Sequence, residues 1–181
     1  GDNVVLGDHG FIVAAGEIVS TSPEYAGVDT ITTGSGNDII LGGSLGGSLG
    51  ETSISSGAGH DVILGDNGWV GRQSGVITGI VSGVYLNGTT LADTSSLGGA
   101  DAVIDAGAGD DVVIGGKGNE TVTAGAGNDI VLGDNGVVGR GFKAGVAAAD
   151  EWGISRILWA GIGNYAQTAS VDPETVAPTH A

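Results

Sequence analysis

The sequence predicts an all-β fold built from short strands that stack on one another, and three observations lead to this prediction. Glycine accounts for 38 of the 181 residues, far above its average usage of about 7%. A pattern of nine residues, in which a glycine-rich turn precedes Val, Ile or Leu, recurs along the chain. The β-branched residues of that pattern favour extended structure. The fold should therefore depend on copies of one small unit packing against each other.

The composition excludes several classes of protein. The 21 acidic and 5 basic residues give a formal net charge of −16, which should repel nucleic acid and anionic membrane surfaces. No apolar run approaches the roughly 18 residues of a membrane span, so we expect no membrane insertion. Without cysteine there is neither a disulfide framework nor a thiolate metal site. A hydrophobic content of 40% also argues against a disordered chain.

The chain repeats itself at a long interval. Three segments nearly coincide, and they begin at residues 1, 59 and 127. Each contains an apolar triplet and ends in Gly-Asp-Asn-Gly or Gly-Asp-His-Gly. Because the long unit is present about two and a half times, we expect the chain to be a piece of a larger repetitive protein.

A shorter period of nine residues lies inside each long unit. Three contiguous copies fill residues 106–132, with Asp111, Glu120 and Asp129 at the acidic position. The glycines of each copy permit positive φ and close approach of the backbone. The three extended residues span only about 10 Å, which is too short for an independent strand. Each copy must therefore stack on its neighbours to bury its apolar side chains.

The acidic position of each copy predicts a metal site. If two copies form one coil, Asp111 and Asp129 lie on the same edge, one strand spacing of about 4.8 Å apart. Two like charges at that distance repel each other by about 1 kcal/mol in water, and by more where they are partly buried. Carboxylates and turn carbonyls together form a flexible cage of oxygen ligands, which suits Ca²⁺. The sequence therefore predicts several calcium ions between the coils.

The nine-residue pattern resembles the Gly-Gly-x-Gly-x-Asp-x-U-x repeat of RTX (repeats-in-toxin) proteins, where U is a large apolar residue. Residues 27–64 and 98–136 carry the resemblance, and residues 1–10 carry a remnant of it. The resemblance implies a calcium-stabilised parallel β-roll, in which six-residue turns bind calcium between adjacent coils. It also implies a protein that is secreted unfolded and folds outside the cell or at the cell surface, where calcium is abundant.

The candidate calcium ligands follow from this resemblance, position by position. Four well-formed copies have Asp38, Asp61, Asp111 and Asp129 at the acidic place. Two weaker copies are assigned Asp29 and Asp101 at the same place. Three further copies have other side chains there, namely Asn3, Thr52 and Glu120, which predicts weaker calcium binding along one edge. The recurring Asp8, Asp66 and Asp134 follow a copy, and they are either auxiliary ligands or residues of local Asx-turns.

The places where the pattern breaks off predict the organisation of the chain. We assign a partial repeat to residues 1–10, a hairpin insertion to 11–26, roll to 27–68, a strand-rich insertion to 69–97, roll to 98–136, a second strand-rich insertion to 137–167 and a linker or tail to 168–181. The insertions hold most of the large aromatic residues, including Trp69, Tyr85, Trp152, Trp159 and Tyr165. Such insertions either cap the roll or dock on a neighbouring copy, or they simply cover the core.

The sequence shows no catalytic set. Residues 42–46 and 46–50 match Gly-x-Ser-x-Gly, but they lie in a glycine-serine tract without the helix that this nucleophile motif requires. The three histidines, His9, His60 and His180, lack the spacing of a zinc site. We therefore expect a protein that is not an enzyme.

The most direct functional prediction is an extracellular structural module of a larger repetitive surface, filament or adhesin protein, which folds and becomes rigid on binding Ca²⁺. Its expected partners are calcium ions and neighbouring repeats or copies of itself. Two alternatives remain open. One is the carrier or secretion repeat region of a secreted toxin, protease or lipase, and the other is a carbohydrate-binding adhesion module that uses the tryptophans.

Overall fold

The computed structural model describes residues 1–13, 16–22, 25, 27–43, 52–86, 90–92, 102–140 and 157–162, and the α-helix is absent from these residues. In chain order the strands are β1 (Val4–Leu6), β2 (Gly10–Ile12), β3 (Ile18–Ser20), β4 (Thr30–Ser35), β5 (Ile39–Leu41), β6 (Thr52–Ala58), β7 (Val62–Leu64), β8 (Gly68–Gln73), β9 (Val76–Ser82), β10 (Val84–Leu86), β11 (Thr90–Ala92), β12 (Ala102–Asp105), β13 (Val112–Ile114), β14 (Thr121–Thr123), β15 (Ile130–Leu132), β16 (Gly136–Arg140) and β17 (Ile157–Ile162).

Two parallel sheets form a β-roll, which confirms the predicted fold class. The five-stranded sheet, called the middle sheet here, has the order β1-β5-β7-β13-β15, and the four-stranded outer sheet has the order β14-β12-β6-β4. The chain alternates between them, from β4 to β5, from β6 to β7, from β12 to β13 and from β14 to β15. Each alternation is one coil of the roll, and two copies of the nine-residue pattern therefore make one coil.

The insertions leave the stacking of the coils unbroken. Val112 of β13 pairs with Ile130 of β15, which is the next coil along the chain. On its other side Val112 pairs with Val62 of β7, although a long insertion separates these two strands in sequence. The chain thus returns after each insertion to the position that the next coil requires.

A third sheet covers the middle sheet. It is antiparallel and six-stranded, with the order β17-β16-β9-β8-β3-β2. It consists of three consecutive antiparallel pairs, β2 with β3, β8 with β9, and β16 with β17. The first strand of each pair begins at the last glycine of a Gly-Asp-(Asn/His)-Gly segment. A separate antiparallel pair, β10 with β11, follows β9.

The middle sheet is buried on both faces. The central residue of each of its triplets, such as Ile40, Ile63 and Val113, packs inside the roll against Ile31, Ile54 and Ile104 of the outer sheet. The flanking residues of the same triplets point to the other face. There they form a second core with residues of the antiparallel sheet, which are Ile18, Val70, Ile80 and Val138. The protein is therefore a three-layer structure, and the insertions provide its third layer.

Several predicted segments lie wholly or partly outside the described residues. The tail at 168–181, Trp152, Tyr165 and most of the segment 137–167 are among them. Trp69 belongs to β8, and its indole ring lies where a Cβ at Gly71 would be. Within the described part of the chain, none of the elements is a helix with the length and apolar character needed to cross a bilayer.

Candidate calcium sites

The turns that lead from the outer sheet into the middle sheet stack along one edge of the roll, which we call the carboxylate edge. Its turns are residues 1–3, 34–38, 57–61, 107–111 and 125–129. The strands that follow these turns pair in register. The structure therefore brings four of the predicted ligands into one row: Asp38, Asp61, Asp111 and Asp129.

Each carboxylate of this row holds the backbone of the coil before it. The backbone N–H of Asp38 donates to Oδ1 of Asp61 (2.8 Å), and the N–H of Asp61 donates to Oδ1 of Asp111 (2.8 Å). The N–H of Asp111 in turn donates to Oδ1 of Asp129 (3.1 Å). At the start of the row, the N–H of Asn3 donates to Oδ1 of Asp38 (2.7 Å). One oxygen of each carboxylate is thereby used within the protein.

A second row of hydrogen bonds runs beside the first in the opposite direction. The residue before the acidic position of a turn accepts an N–H from the following coil, as when the N–H of Asn37 donates to Oδ1 of Asp2, which precedes Asn3 (2.8 Å). The N–H of Asp110 likewise donates to Nδ1 of His60 (2.9 Å), and the N–H of Asn128 donates to Oδ1 of Asp110 (2.9 Å). Sequence reasoning missed this row. Its signal is that Asp, Asn or His always precedes the aspartate on this edge.

The remaining carboxylate oxygens have the environment of a cation site. Asp38, Asp61 and Asp111 are fully buried, and their Oδ2 atoms have no hydrogen-bond partner in the described part of the structure. Burial raises the pKa of Asp61. Burial, followed by the charges of Asp61 and Asp129, raises the pKa of Asp111 to about 6. A buried carboxylate oxygen without a donor is costly, and a bound cation would remove that cost.

The glycines of the carboxylate edge keep successive turns in close contact. Gly107 and Gly109 have positive φ values of 87° and 144°. A Cβ on either residue would overlap a carbonyl oxygen of the turn below, that of Gly57 or that of Gly59. The turn carbonyls of adjacent coils therefore lie close to the row of carboxylates. This donor set, with one carboxylate and several carbonyls per turn, fits a calcium ion better than a smaller or softer metal.

Side chains alone do not complete a site. Among the residues that the structure describes, no group of three or more His, Cys, Asp or Glu side chains is arranged to hold a metal ion. Each calcium ion would thus be held by one or two aspartates of the carboxylate edge together with backbone carbonyls. Bound there, the ion would supply positive charge between stacked carboxylates and link one coil to the next.

The opposite edge of the roll holds other predicted ligands in a less regular arrangement. Oδ1 of Asp8 accepts the N–H of Gly27 (3.0 Å). The chain leaves the roll after Asp8 and returns to it at Gly27, so this hydrogen bond joins the two ends of the insertion. Burial, and then the charge of Asp8, raises the pKa of Asp29. The Oδ2 atoms of both residues are buried without a hydrogen-bond partner among the described residues. Asp8 and Asp29 are therefore the best candidates for a calcium ion on this edge.

The other aspartates of this edge differ in their surroundings. Oδ2 of Asp66 accepts the N–H of Lys117 (2.6 Å), whereas Asp134 is exposed. The hydrogen bonds of Asp8 and Asp66 reach residues 19 and 51 positions away, so these side chains connect distant segments. A Cβ at Gly116 would clash with the Asp66 carboxylate. A coil with an aspartate here thus needs a glycine in its neighbour.

The strand register changes the assignment of the weaker copies. Ile31 and Ile104 both pair with Ile54, and Ala102 pairs with Thr52. Ala102 therefore occupies the place that Asp29 has in its own copy, and Asp101 precedes that place by one residue. Asp101 itself lies outside the described residues. The acidic place on this edge is consequently filled by four different residue types, namely Asp29, Thr52, Ala102 and Glu120.

Comparison with known families agrees with this geometry. The family model of the RTX calcium-binding nonapeptide repeat matches residues 25–44, 46–69 and 96–131, with four copies. The chain carries RTX repeats. RTX nonapeptide repeats bind Ca²⁺ ions, which confirms calcium as the predicted ligand of this repeat type. No curated protein and no solved structure matches the chain.

The RTX repeat is a calcium-binding structural repeat and not a catalytic one. Its matched copies include the turns of Asp38, Asp61, Asp111 and Asp129. They also include residues 25–44 and 96–131, which carry Asp29 and Asp101. The RTX copies therefore extend over both edges of the roll.

Proposed function

We propose that the protein is a non-enzymatic structural module of a secreted protein, in which calcium ions along the carboxylate edge fold and stiffen the roll. The observation that carries this proposal is the row of buried aspartates. Asp38, Asp61 and Asp111 each use Oδ1 for the neighbouring coil and keep a buried Oδ2 without a hydrogen-bond donor among the described residues. This arrangement is unfavourable without a cation and favourable with one.

The charge of the row makes calcium a condition for folding. Adjacent strands of a sheet lie about 4.8 Å apart, and neighbouring carboxylates at about that spacing repel by about 1 kcal/mol in water and by more when buried. A divalent ion between two coils converts this repulsion into attraction. Because the binding energy is available only to the stacked coils, it contributes directly to the free energy of folding.

The test compares two aspartates with different surroundings. Asp111→Asn keeps an oxygen that accepts the N–H of Asp61 but removes the charge, whereas Asp105→Asn removes an exposed charge from the outer sheet. Calorimetric calcium titration of Asp111→Asn should show an affinity at least about tenfold weaker for the affected ions, a loss of about 1.4 kcal/mol. Asp129→Asn should weaken binding in the same way.

Asp105→Asn is the control and should bind calcium as the unaltered protein does. Without calcium, the folding equilibrium of Asp111→Asn should lie less far toward the unfolded state than that of the unaltered chain, because the substitution removes a buried charge between Asp61 and Asp129. Equal losses of calcium affinity for Asp111→Asn and Asp105→Asn would contradict the assignment of the carboxylate edge.

We further propose that the module belongs to an extracellular repetitive protein of the surface, filament or adhesin type. The support is the near-identity of the segments that begin at residues 1, 59 and 127 and the occurrence of RTX repeats typically in secreted proteins. Protease treatment of intact producing cells, followed by detection of this segment with an antibody, tests the location. Complete protection of the segment inside intact cells would contradict it.

A further inference from the structure

The third layer grows in step with the roll. Between one Gly-Asp-(Asn/His)-Gly segment and the next, the chain adds one antiparallel pair to the third sheet and two coils to the roll. Two strands of the antiparallel sheet occupy about the same width as two strands of the middle sheet, because neighbouring strands lie about 4.8 Å apart in any β-sheet. The two-coil unit with its antiparallel pair is therefore a building block that can be added repeatedly in register.

A serine joins each antiparallel pair to the following one. Oγ of Ser20, the last residue of β3, accepts the N–H of Gly68 (2.6 Å) and donates to its carbonyl oxygen (3.2 Å). Oγ of Ser82, the last residue of β9, accepts the N–H of Gly136 (2.8 Å) and donates to its carbonyl oxygen (3.3 Å). The same contact thus occurs at both junctions, always to the first residue of the next pair.

Among the described residues, the first pair has no such neighbour at the equivalent edge of β2. β2 lies at the end of the antiparallel sheet, as β1 does in the middle sheet. Ile12 of β2 is 54% exposed, whereas Val70 and Val138 at the equivalent places are fully buried. Phe11 is 42% exposed, and Val4 of β1 is 38% exposed. This end of the molecule therefore leaves apolar side chains in water that are covered in the other units.

Backbone groups of β2 also point toward the side of the strand that faces away from β3, which we call the open edge together with the matching side of β1. The N–H of Thr21 donates to the carbonyl oxygen of His9 (2.7 Å), which makes these two residues a hydrogen-bonded pair. Hydrogen-bonded and non-hydrogen-bonded pairs alternate along antiparallel strands, so the next pair, Gly10 with Ser20, is of the other type. The N–H and C=O of Gly10 thus point away from β3, as those of Gly68 do when they bind Ser20.

We propose that the open edge of β1 and β2 is an interaction surface for a further unit of the same polypeptide, made of two coils and an antiparallel pair that ends in serine. That serine would bind Gly10 as Ser20 binds Gly68. The two existing junctions show what the partner must supply. By analogy with them, it needs an antiparallel strand beside β2, apolar side chains that cover Ile12 and a hydroxyl group that binds Gly10. Exposed strand edges with apolar side chains are templates for such pairing.

An in-phase duplication tests the proposal. A chain in which Gly1–Gly68 is followed by Phe11–Ala181 contains one additional unit, because residues 59–68 repeat residues 1–10 closely. In this longer chain, the second copy of Phe11 follows Gly68 and should take the place of Trp69, opposite Val19 of the first copy. The original chain has only two phenylalanines, Phe11 and Phe142, so fluorine-labelled phenylalanine can be followed by NMR in Ca²⁺.

The duplicated chain should show one additional phenylalanine signal with a smaller difference between H₂O and D₂O than the signal of the first Phe11, because the equivalent Trp69 is half-buried. The signal of the first Phe11 should keep the larger difference of an exposed ring. Ser20→Ala in the first copy should increase the solvent exposure of the new ring or speed amide exchange in its strand by about tenfold or more. Phe11→Asp should leave the thermal midpoint of the original chain unchanged and, in the second copy alone, lower the midpoint by about 5 °C or more.

Three results would overturn the proposal. One is a second Phe11 that stays exposed while calcium-dependent circular dichroism shows that the added unit is folded. Another is an added unit that gains no calcium-dependent β signal, because the edge then does not accept it. The third is head-to-tail association of the original chain that buries Phe11, since the partner would then be a second copy. The proposal goes beyond the proposed function, because the dichroism reports calcium-dependent folding separately from docking.

Discussion

At the scale of single residues, the aspartates of the carboxylate edge act in two ways at once. In Asp61, Oδ1 accepts the backbone N–H of Asp38 and thereby sets the distance between two coils, while Oδ2 is buried without a donor among the described residues. An asparagine would serve the first role but not the second. Under the proposed function, the preference of the pattern for aspartate at this place is explained by the oxygen that remains for the ion.

The raised pKa of Asp111 predicts how pH affects the protein. Its pKa is about 6 in the folded protein without calcium, against an ordinary value of 3.8. Between about pH 4 and pH 6 the folded state therefore binds more protons than the unfolded state, and the stability of the calcium-free fold should fall as the pH rises through this range. Calcium must displace the proton, so calcium affinity should increase as the pH rises through about 6.

Calcium titrations at about pH 5 and about pH 7 measure the trend in affinity, and the β signal in circular dichroism of the calcium-free chain at the same two pH values measures the trend in folding. Asp61, whose pKa is also raised by burial, should contribute in the same direction. Asp111→Asn should reduce the pH dependence of both quantities. Calcium affinity that is independent of pH across this range would contradict the raised pKa.

At the scale of strands and turns, the sequence contained more information on the fold than the nine-residue pattern reports. Triplets of the middle sheet are entirely apolar, such as residues 39–41, whereas three of the four triplets of the outer sheet have one apolar residue between polar ones, such as Thr30-Ile-Thr32. The pattern requires only the central apolar residue, so it predicted the roll. The flanking apolar residues indicated a sheet that is buried on both faces and hence a third layer.

The positions of the candidate calcium ligands were predictable to a similar degree. The row of four aspartates followed from the spacing of the copies, because register in the roll is set by the turn length. The place of Asp101 did not follow, since Ala102 takes the register position opposite Thr52. A shift of one residue in the four-residue strand β12 leaves little trace in the sequence, because Val103 and Ile104 both fit the apolar position of the pattern.

The turn glycines predict a position-specific effect of adding one methyl group. In Gly107→Ala the new Cβ would overlap the carbonyl oxygen of Gly57 at a φ of 87°. Gly34 occupies the same place in an earlier coil, where a Cβ would meet nothing within 4 Å. Gly107→Ala should lower the free energy of unfolding in Ca²⁺ by more than about 2 kcal/mol. Gly34→Ala should change it by less than about 1 kcal/mol, and equal effects in chemical denaturation would contradict the close stacking of the turns.

The third layer should also contribute to the stability of the roll itself. Ile80 of β9 is fully buried against the middle sheet, whereas Ile12 of β2 is more than half exposed. Ile80→Ala should therefore cost about 2–5 kcal/mol of unfolding free energy in Ca²⁺. Ile12→Ala, the same chemical change, should cost less than about 1 kcal/mol. In each of the two variants, the roll and the third layer should unfold together in one transition. A separate early transition of the third layer in Ile80→Ala would show that the roll is stable without it.

At the scale of the whole molecule, two opposing features determine whether the chain folds. The apolar triplets bury their side chains only when coils stack, and stacking also brings the carboxylates of a chain with a net charge of −16 together. Within the roll each coil stacks on the coils next to it, so the stability of such a structure is approximately a sum over adjacent coils. Under the proposed function, calcium between adjacent coils acts on every term of that sum, and its effect grows with the number of coils.

Removal of calcium should therefore unfold the whole molecule instead of loosening one end. In a chelator the β signal in circular dichroism should be lost, and small-angle scattering should show the radius of gyration rising toward about 45 Å, the value for an unfolded chain of this length.

Added Ca²⁺ should restore the compact form, whereas Mg²⁺ at the same concentration should not, because Mg²⁺ keeps its water ligands and requires strict octahedral geometry. High salt in place of Ca²⁺ should reduce the expansion by screening the charges but should not restore the strands, since it cannot satisfy the buried Oδ2 atoms of Asp38, Asp61 and Asp111. A chain that keeps its full β signal in chelator at neutral pH would show that the coils stack without the ion.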